Sequence, residues 1–114
     1  MAAELADPED AKLLMLARAH RARAGTRAAA AVRDRDGRTY SAADVTLPSL
    51  RLSALELAVA MAVSSGVSGL EAALVMGDGA ADPADVTVVR EFAGPGVPVY
   101  RVDTAGRLAD SVTT

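Results

Sequence analysis

The chain contains no cysteine and no tryptophan, and its aromatic residues are two tyrosines and one phenylalanine. Without thiols it can form neither disulfides nor thiolate metal sites. So few aromatic rings leave little surface for stacking on bases. Positive charge is also short: the net charge is -3, which gives no electrostatic footprint for nucleic acid or an anionic membrane. Long hydrophobic runs are missing as well. The longest nearly uncharged stretch, Leu57 to Leu70, is broken by serines and glycines and is too short to span a bilayer. The opening "MAAELADPED" is acidic and lacks the basic and apolar regions of a signal peptide. These absences lead to the expectation of a cytoplasmic domain with no membrane partner and no nucleic-acid partner.

What is present is a hydrophobic fraction of 51% in 114 residues, much of it alanine and valine, enough for one closely packed domain over 1–114. "ADPEDAKLLMLARAHRARAG" starts as a helix, with Asp7 as N-cap, Pro8 at the first helical position and Asp10 three residues after the cap. Leu13, Leu16, Ala17, His20 and Ala24 share one face of it, and Gly25 stops it. Asp36-Gly37 is a tight-turn signal, so Arg27–Arg35 and Arg38–Val45 form a hairpin. "TLPSL" reads as a loop. A helix from about Ser53 to Ser65 follows, apolar nearly all round and ended by Gly66. Then come a short strand in "GLEAALVMGDG", a helix opening Asp82-Pro83-Ala84-Asp85 and closing at Gly94, a strand in "GVPVYRVD", and a polar tail with one weak last element. Strands joined through helices after an opening hairpin imply a three-layer α/β/α sandwich with a mixed sheet.

Order and local sequence together resemble the cytidine deaminase family. The similarity runs from "AAAAVRDRDGRTYSAADV" through "AVSSG" at Ala62–Gly66 to "VVREFA" at Val88–Ala93, over about Ala29 to Val102. It implies a zinc-dependent nucleoside deaminase fold and association as dimers or tetramers. It also identifies where the family's chemistry would sit. Its N-x-E triplet falls on Asp44-Val45-Thr46. Counting back from "AVSSG", the zinc cysteine falls on Ser53 and the proton-shuttling glutamate on Leu55; counting forward from Asp44 without gaps, they fall on Leu55 and Leu57. Glu56 stands beside the glutamate position in the first count. The two cysteines of P-C-x-x-C fall on Asp82 and Asp85, and the Tyr-Ser-x-Phe before the first strand is replaced by "AGTR" at 24–27.

Deamination in this family needs a zinc-activated hydroxide and a carboxyl group to move protons. The chain lacks both at those positions, so neither catalytic residues nor metal ligands are assigned and zinc is expected to be absent. Asp44, Thr46, Ser53, Leu55, Glu56, Asp82 and Asp85 are the positions of a degenerate site. Ser53-Ala54-Leu55-Glu56 fits a capping box, and Asp82-Pro83-Ala84-Asp85 a capped helix start, so oxygen caps would satisfy helix ends that a metal organises elsewhere. The expectation is a catalytically inactive binding or interaction module that forms a homo-oligomer and takes an unidentified small ligand.

Two other readings compete. Asp78, Asp82, Asp85 and Glu56 could hold a hard cation in an active hydrolase acting on an aminopyrimidine or related amidine C–N bond. Alternatively, Arg18, Arg21, Arg23 and Arg27 in "RAHRARAGTR" could serve an RNA-associated accessory protein. His20, the single histidine, reads as a packed or interface residue, and "GDGAADP" as a turn whose aspartates would repel phosphate.

Overall fold

The computed structural model describes Leu5, residues 7–78 and residues 82–114. Its elements run α1 (Pro8–Ala24), β1 (Ala29–Asp34), β2 (Thr39–Ala43), β3 (Val45–Leu47), β4 (Leu50–Leu52), α2 (Ala54–Ser64), β5 (Leu70–Met76), α3 (Pro83–Ala93), β6 (Pro98–Val102) and β7 (Leu108–Thr113). The main sheet has five strands in the order β2-β1-β5-β6-β7. Only β5 and β6 are parallel, joined through α3; β1 pairs antiparallel with both β2 and β5, and β7 antiparallel with β6.

Strand β1 explains why so many alanines suit this fold. All six of its residues are buried, because it lies inside the sheet with helices over both faces. Ala29 and Ala31 face α1, where Leu13 and Ala17 pack with Leu74, Met76 and Val102. Ala30 and Val32 face the other way, into a core with Leu55, Ala58, Val59 and Ala62 of α2 and Val89 of α3. Small side chains on the strand let helices approach the sheet closely on both sides. The result is the mixed-sheet α/β/α sandwich expected from the sequence.

Helix ends follow the local chemistry. Asp7 Oδ1 accepts from Glu9 N at 2.8 Å, and Gly25 closes α1 with φ 68°, a left-handed conformation that favours glycine. The β1–β2 turn rests on Asp34, whose Oδ1 accepts from Asp36 N and Arg38 N while Oδ2 accepts from Tyr40 OH.

Two segments differ from the sequence reading. "TLPSL" is not a loop: β3 and β4 form a separate two-stranded hairpin with Val45 opposite Leu52 and Leu47 opposite Leu50. Proline at 48 sits between the strands, where a missing N–H costs no ladder bond, and β-branched Val45 and Thr46 favour extension. The tail also gains more order than its polarity suggests, because β7 completes an edge of the sheet. The last residue anchors it: Thr114 Oγ1 accepts from Val97 N and donates to Gly94 O.

Asp10 stands in the first turn of α1, as the sequence implies, and also reaches across to the sheet. It lies on the α1 face shared with Leu13 and Ala17, buried, with Oδ1 2.9 Å from Arg33 Nη2 and Oδ2 accepting from Tyr100 OH at 2.7 Å. Arg33 Nε donates to Glu71 Oε2 at 2.8 Å. These bonds outweigh the effect of burial on Arg33 and hold its guanidinium more firmly protonated than usual. Burial first, and then the Asp10 carboxylate, push the Tyr100 hydroxyl up to about 12.

Candidate functional site

The first turns of α2 and α3 meet on the sheet face that both helices cover. Ser53 caps α2: its Oγ accepts from Glu56 N at 3.0 Å, and Glu56 Oε1 accepts from Ser53 N at 2.8 Å. This is the reciprocal capping box that the sequence implies. Asp82 caps α3 by accepting from Ala84 N at 2.9 Å, with Pro83 at the first position. The two caps are then linked directly, because Ser53 Oγ donates to Asp85 Oδ1 at 2.6 Å.

Asp85 is the buried carboxyl of the site. Its relative exposure is only 9%. Burial pushes its pKa above the ordinary value; the Ser53 bond opposes that, and the Asp82 and Glu56 carboxylates add to it. Leu55 is fully buried in the core beneath α2 and offers no proton-transfer group. Of the two positions counted for the family's first cysteine, Ser53 meets Asp85 and Leu55 lies in the core.

Beside the start of α3 lies a cleft of about 150 Å³, with Asp78, Asp82 and Asp85 at its edge and Val75, Val86 and Val99 among its walls. A more polar depression of about 270 Å³ adjoins it through Ala28 and Asp78 and is bordered by Arg21, Arg27 and Asp44. Asp44 is therefore not at the Ser53–Asp85 link; its Oδ1 accepts from Ala28 N at 3.3 Å. Thr46 is exposed on β3. Gly79 to Ala81, part of the turn read between β5 and α3, lie outside the described residues.

The donor set can be tested against zinc. The positions carry a hydroxyl, a hydrocarbon and two carboxylates, with no imidazole or thiolate. Two oxygen ligands of a tetrahedral zinc, each about 2.0–2.2 Å from the metal, would stand roughly 3.3–3.6 Å apart. The 2.6 Å contact is a direct hydrogen bond between neighbouring oxygens, too close for two ligands of one ion. The residues present do not fit the zinc implied by the fold. Among the described residues no three of His, Asp or Glu come together in a group that could hold a metal ion, so Glu56, Asp82 and Asp85 do not form one.

Other residues singled out in the sequence have local partners. His20 Nδ1 is 2.9 Å from Ser41 Oγ, which ties α1 to β2. Arg18 donates to Ala105 O at 3.2 Å and Arg21 to Arg27 O at 3.0 Å, so two of the basic residues brace their own chain. Sequence reasoning missed the Asp10–Arg33–Tyr100–Glu71 cluster and the Asp34–Tyr40 bond. The available signal for the first was Asp10 falling in phase with Leu13 and Ala17. Nothing local marked the second.

Comparison with solved structures defines the class. A cytidine deaminase from Burkholderia pseudomallei superposes with TM-score 0.75 at 22% identity, covering 91% of this chain and 90% of that one. The Mycobacterium leprae cytidine deaminase gives 0.74 at 20% identity over 94% of each chain. A mutant cytidine deaminase from Mycobacterium tuberculosis gives 0.69 at 22% identity, covering 82% of this chain and 85% of that one. At such identities the likeness establishes the fold. The model of the cytidine deaminase-like family matches residues 6–106. The chain belongs to the cytidine deaminase-like family. No curated protein matches the sequence significantly.

Proposed function

We propose that this protein is a deaminase-fold pseudoenzyme, a binding or interaction module that assembles with copies of itself and carries no zinc. The observation that supports this most is the 2.6 Å bond from Ser53 to Asp85, which joins the two helix starts directly. The buried Leu55 at the proton-shuttle position supports it too. Oxygen caps accept from Ser53 N and Glu56 N at the start of α2 and from Ala84 N at the start of α3, which supports a scaffold that needs no metal there. The cleft and the adjoining depression leave room for a small ligand of unassigned identity. The cytoplasmic setting expected of a cysteine-free chain is part of the same proposal. Among the described residues no helix is long and apolar enough to cross a membrane.

The test is elemental analysis of untagged protein, together with ammonia release from cytidine, deoxycytidine and related aminopyrimidines. The expected result is no stoichiometric zinc and no turnover. Turnover abolished by a chelator would overturn the proposal. A gain-of-site variant, Ser53→Cys with Asp82→Cys and Asp85→Cys, should bind one equivalent of zinc if these positions correspond to the family's ligands.

A further inference from the structure

We propose that the groove between α1 and the β6–β7 hairpin binds a medium-chain carboxylate, its hydrocarbon chain among leucines and its charged head at Arg107 and Arg18. The groove lies on the sheet face that α1 covers, opposite the face that carries α2, α3 and the Ser53–Asp85 link. Its occupancy is therefore independent of what the helix starts do. Helix α1 packs chiefly over β1, β2 and β5, which leaves the sheet beyond β5 less covered on this side. Ala11 and Leu14, three residues apart on α1, form one wall. Val102 and Leu108, directly opposite each other on β6 and β7, form the other. Val102 is fully buried, whereas Leu14 and Leu108 are half-buried at the edge of the same core.

The turn at the end of the groove is firmly built. Asp103 Oδ1 accepts from Ala105 N and from Arg107 N, both at 2.9 Å, and Asp103 N donates to Arg107 O at 2.9 Å. Gly106 has φ 87°, and Arg18 Nη2 occupies the place where a Cβ would stand. From there Arg18 donates to Ala105 O at 3.2 Å, bridging α1 to the turn. Glycine is needed at 106 both for the backbone and for this bridge. The recess so held has a volume of about 260 Å³. An apolar cavity of about 150 Å³ takes benzene, so in proportion this one takes about ten non-hydrogen atoms, the size of octanoate.

Charge selects the ligand. Among the described residues Arg107 borders the groove and no carboxylate does. Asp103, the acid of the turn, has its Oδ1 committed to two backbone donors. Arg107 is exposed and Arg18 spends one bond on Ala105 O, so both guanidinium groups keep donors for an anion. A carboxylate can accept two parallel bonds from a guanidinium, which an ester or an amine on the same chain cannot do. An apolar recess with cations at one end and no anion along it thus matches an amphiphilic anion.

The experiment titrates the full chain with sodium octanoate, read by calorimetry and by amide NMR shifts. Saturable one-to-one binding is expected with Kd on the order of 1 mM, with the largest shifts at Ala11, Leu14 and Leu108. Each CH₂ added from butanoate to octanoate should tighten binding about fourfold. Methyl octanoate and octylamine should bind about tenfold more weakly or worse, and Arg107→Ala should weaken octanoate by a similar factor. Ala11→Leu fills the recess and should abolish binding with an unchanged circular dichroism spectrum. Should that variant fail to fold, Arg107→Ala on the exposed turn still decides the matter. No saturation by about 10 mM octanoate overturns the proposal. So does octylamine binding as tightly as octanoate, or octanoate shifts centred on the Asp85 cleft. Zinc content and ammonia release are read separately, so an active zinc enzyme would sink the pseudoenzyme reading without touching this groove.

Discussion

Replacing Ser53 with alanine is the most informative perturbation of the helix starts. The side chain makes two bonds with different partners, so the change can be worked out in parts. Losing the acceptor for Glu56 N removes an N-cap worth about 1 kcal/mol. Losing the donor to Asp85 removes a hydrogen bond to a charged group, worth about 1.5–3 kcal/mol. The sum is about 2.5–4 kcal/mol. For a chain of 114 residues, unfolding entropy near 2.1 cal/mol/K per residue makes each kcal/mol worth about 4 °C. Ser53→Ala should therefore lower Tm by about 10–17 °C at pH 7. The loss should also depend on pH. The Ser53 bond favours the ionised carboxyl, so its full strength is present where Asp85 is charged and shrinks once Asp85 is protonated. Calorimetry or denaturant unfolding from pH 4 to pH 8 should show the gap between wild type and variant widening as pH rises. Ser53→Thr keeps a hydroxyl and should recover most of the loss. A Tm change of only a degree or two, or a large gap independent of pH, would refute the link between the caps.

Asp85→Asn keeps an acceptor for Ser53 but removes the buried charge. Because the folded-state pKa is raised above the ordinary 3.8, the wild type has its full contribution below that value and loses stability as pH rises through the folded pKa. The variant should lose this slope in urea titrations, and an unchanged slope would place the titration elsewhere. Arg33→Met strands Asp10 in the core and should cost about 3–5 kcal/mol, read by denaturant midpoints. A cost below about 1 kcal/mol would mean that the cluster is wet and screened. Of the two tyrosines, Tyr100 should ionise with a midpoint near 12 in ultraviolet titration, and Tyr100→Phe should remove that step.

Most of the sandwich was legible because the chain states its boundaries locally. Asp7-Pro8 and Gly25, Ser53 with Glu56, and Asp82-Pro83 with Gly94 all act within a few residues of themselves, and each is found capping or closing its helix. The hairpin turn is equally local, with Asp34, Asp36 and Gly37 closing it. The β3–β4 hairpin was hidden because three-residue strands carry too few positions for alternation to show. Strand β7 was hidden for another reason: Asp110 and Ser111 are polar because the strand is an exposed edge, and its order comes from β6. Edge strands gain stability from a neighbour that single-sequence patterning does not contain.

The same distinction governs the candidate site. Ser53 and Asp85 could each be read as a cap from their own sequence, but 32 residues separate them, and nothing local says that one donates to the other. Tyr100 and Asp10 are 90 residues apart and pose the same problem. In both places a carboxylate has been taken out of water and given a hydroxyl donor. Burial acts in the same sense on the two titrating groups, disfavouring the anion of each. It raises Asp85 towards neutrality of its own charge, and it keeps the Tyr100 hydroxyl protonated beside Asp10. The difference lies in what else is near. Asp10 has the Arg33 guanidinium at 2.9 Å, whereas Asp85 has Asp82 and Glu56. Asp10 is therefore a charge whose position is paid for by an ion pair, and it belongs to the architecture of α1 on the sheet. Asp85 is a buried acid beside a cleft, with one hydroxyl donor that ties the start of α3 to that of α2 and two like-charged neighbours. If a ligand enters that cleft, relief of this charge gives it a reason to bind there, and the pH dependence of Asp85→Asn stability is where that strain becomes measurable before any ligand is known.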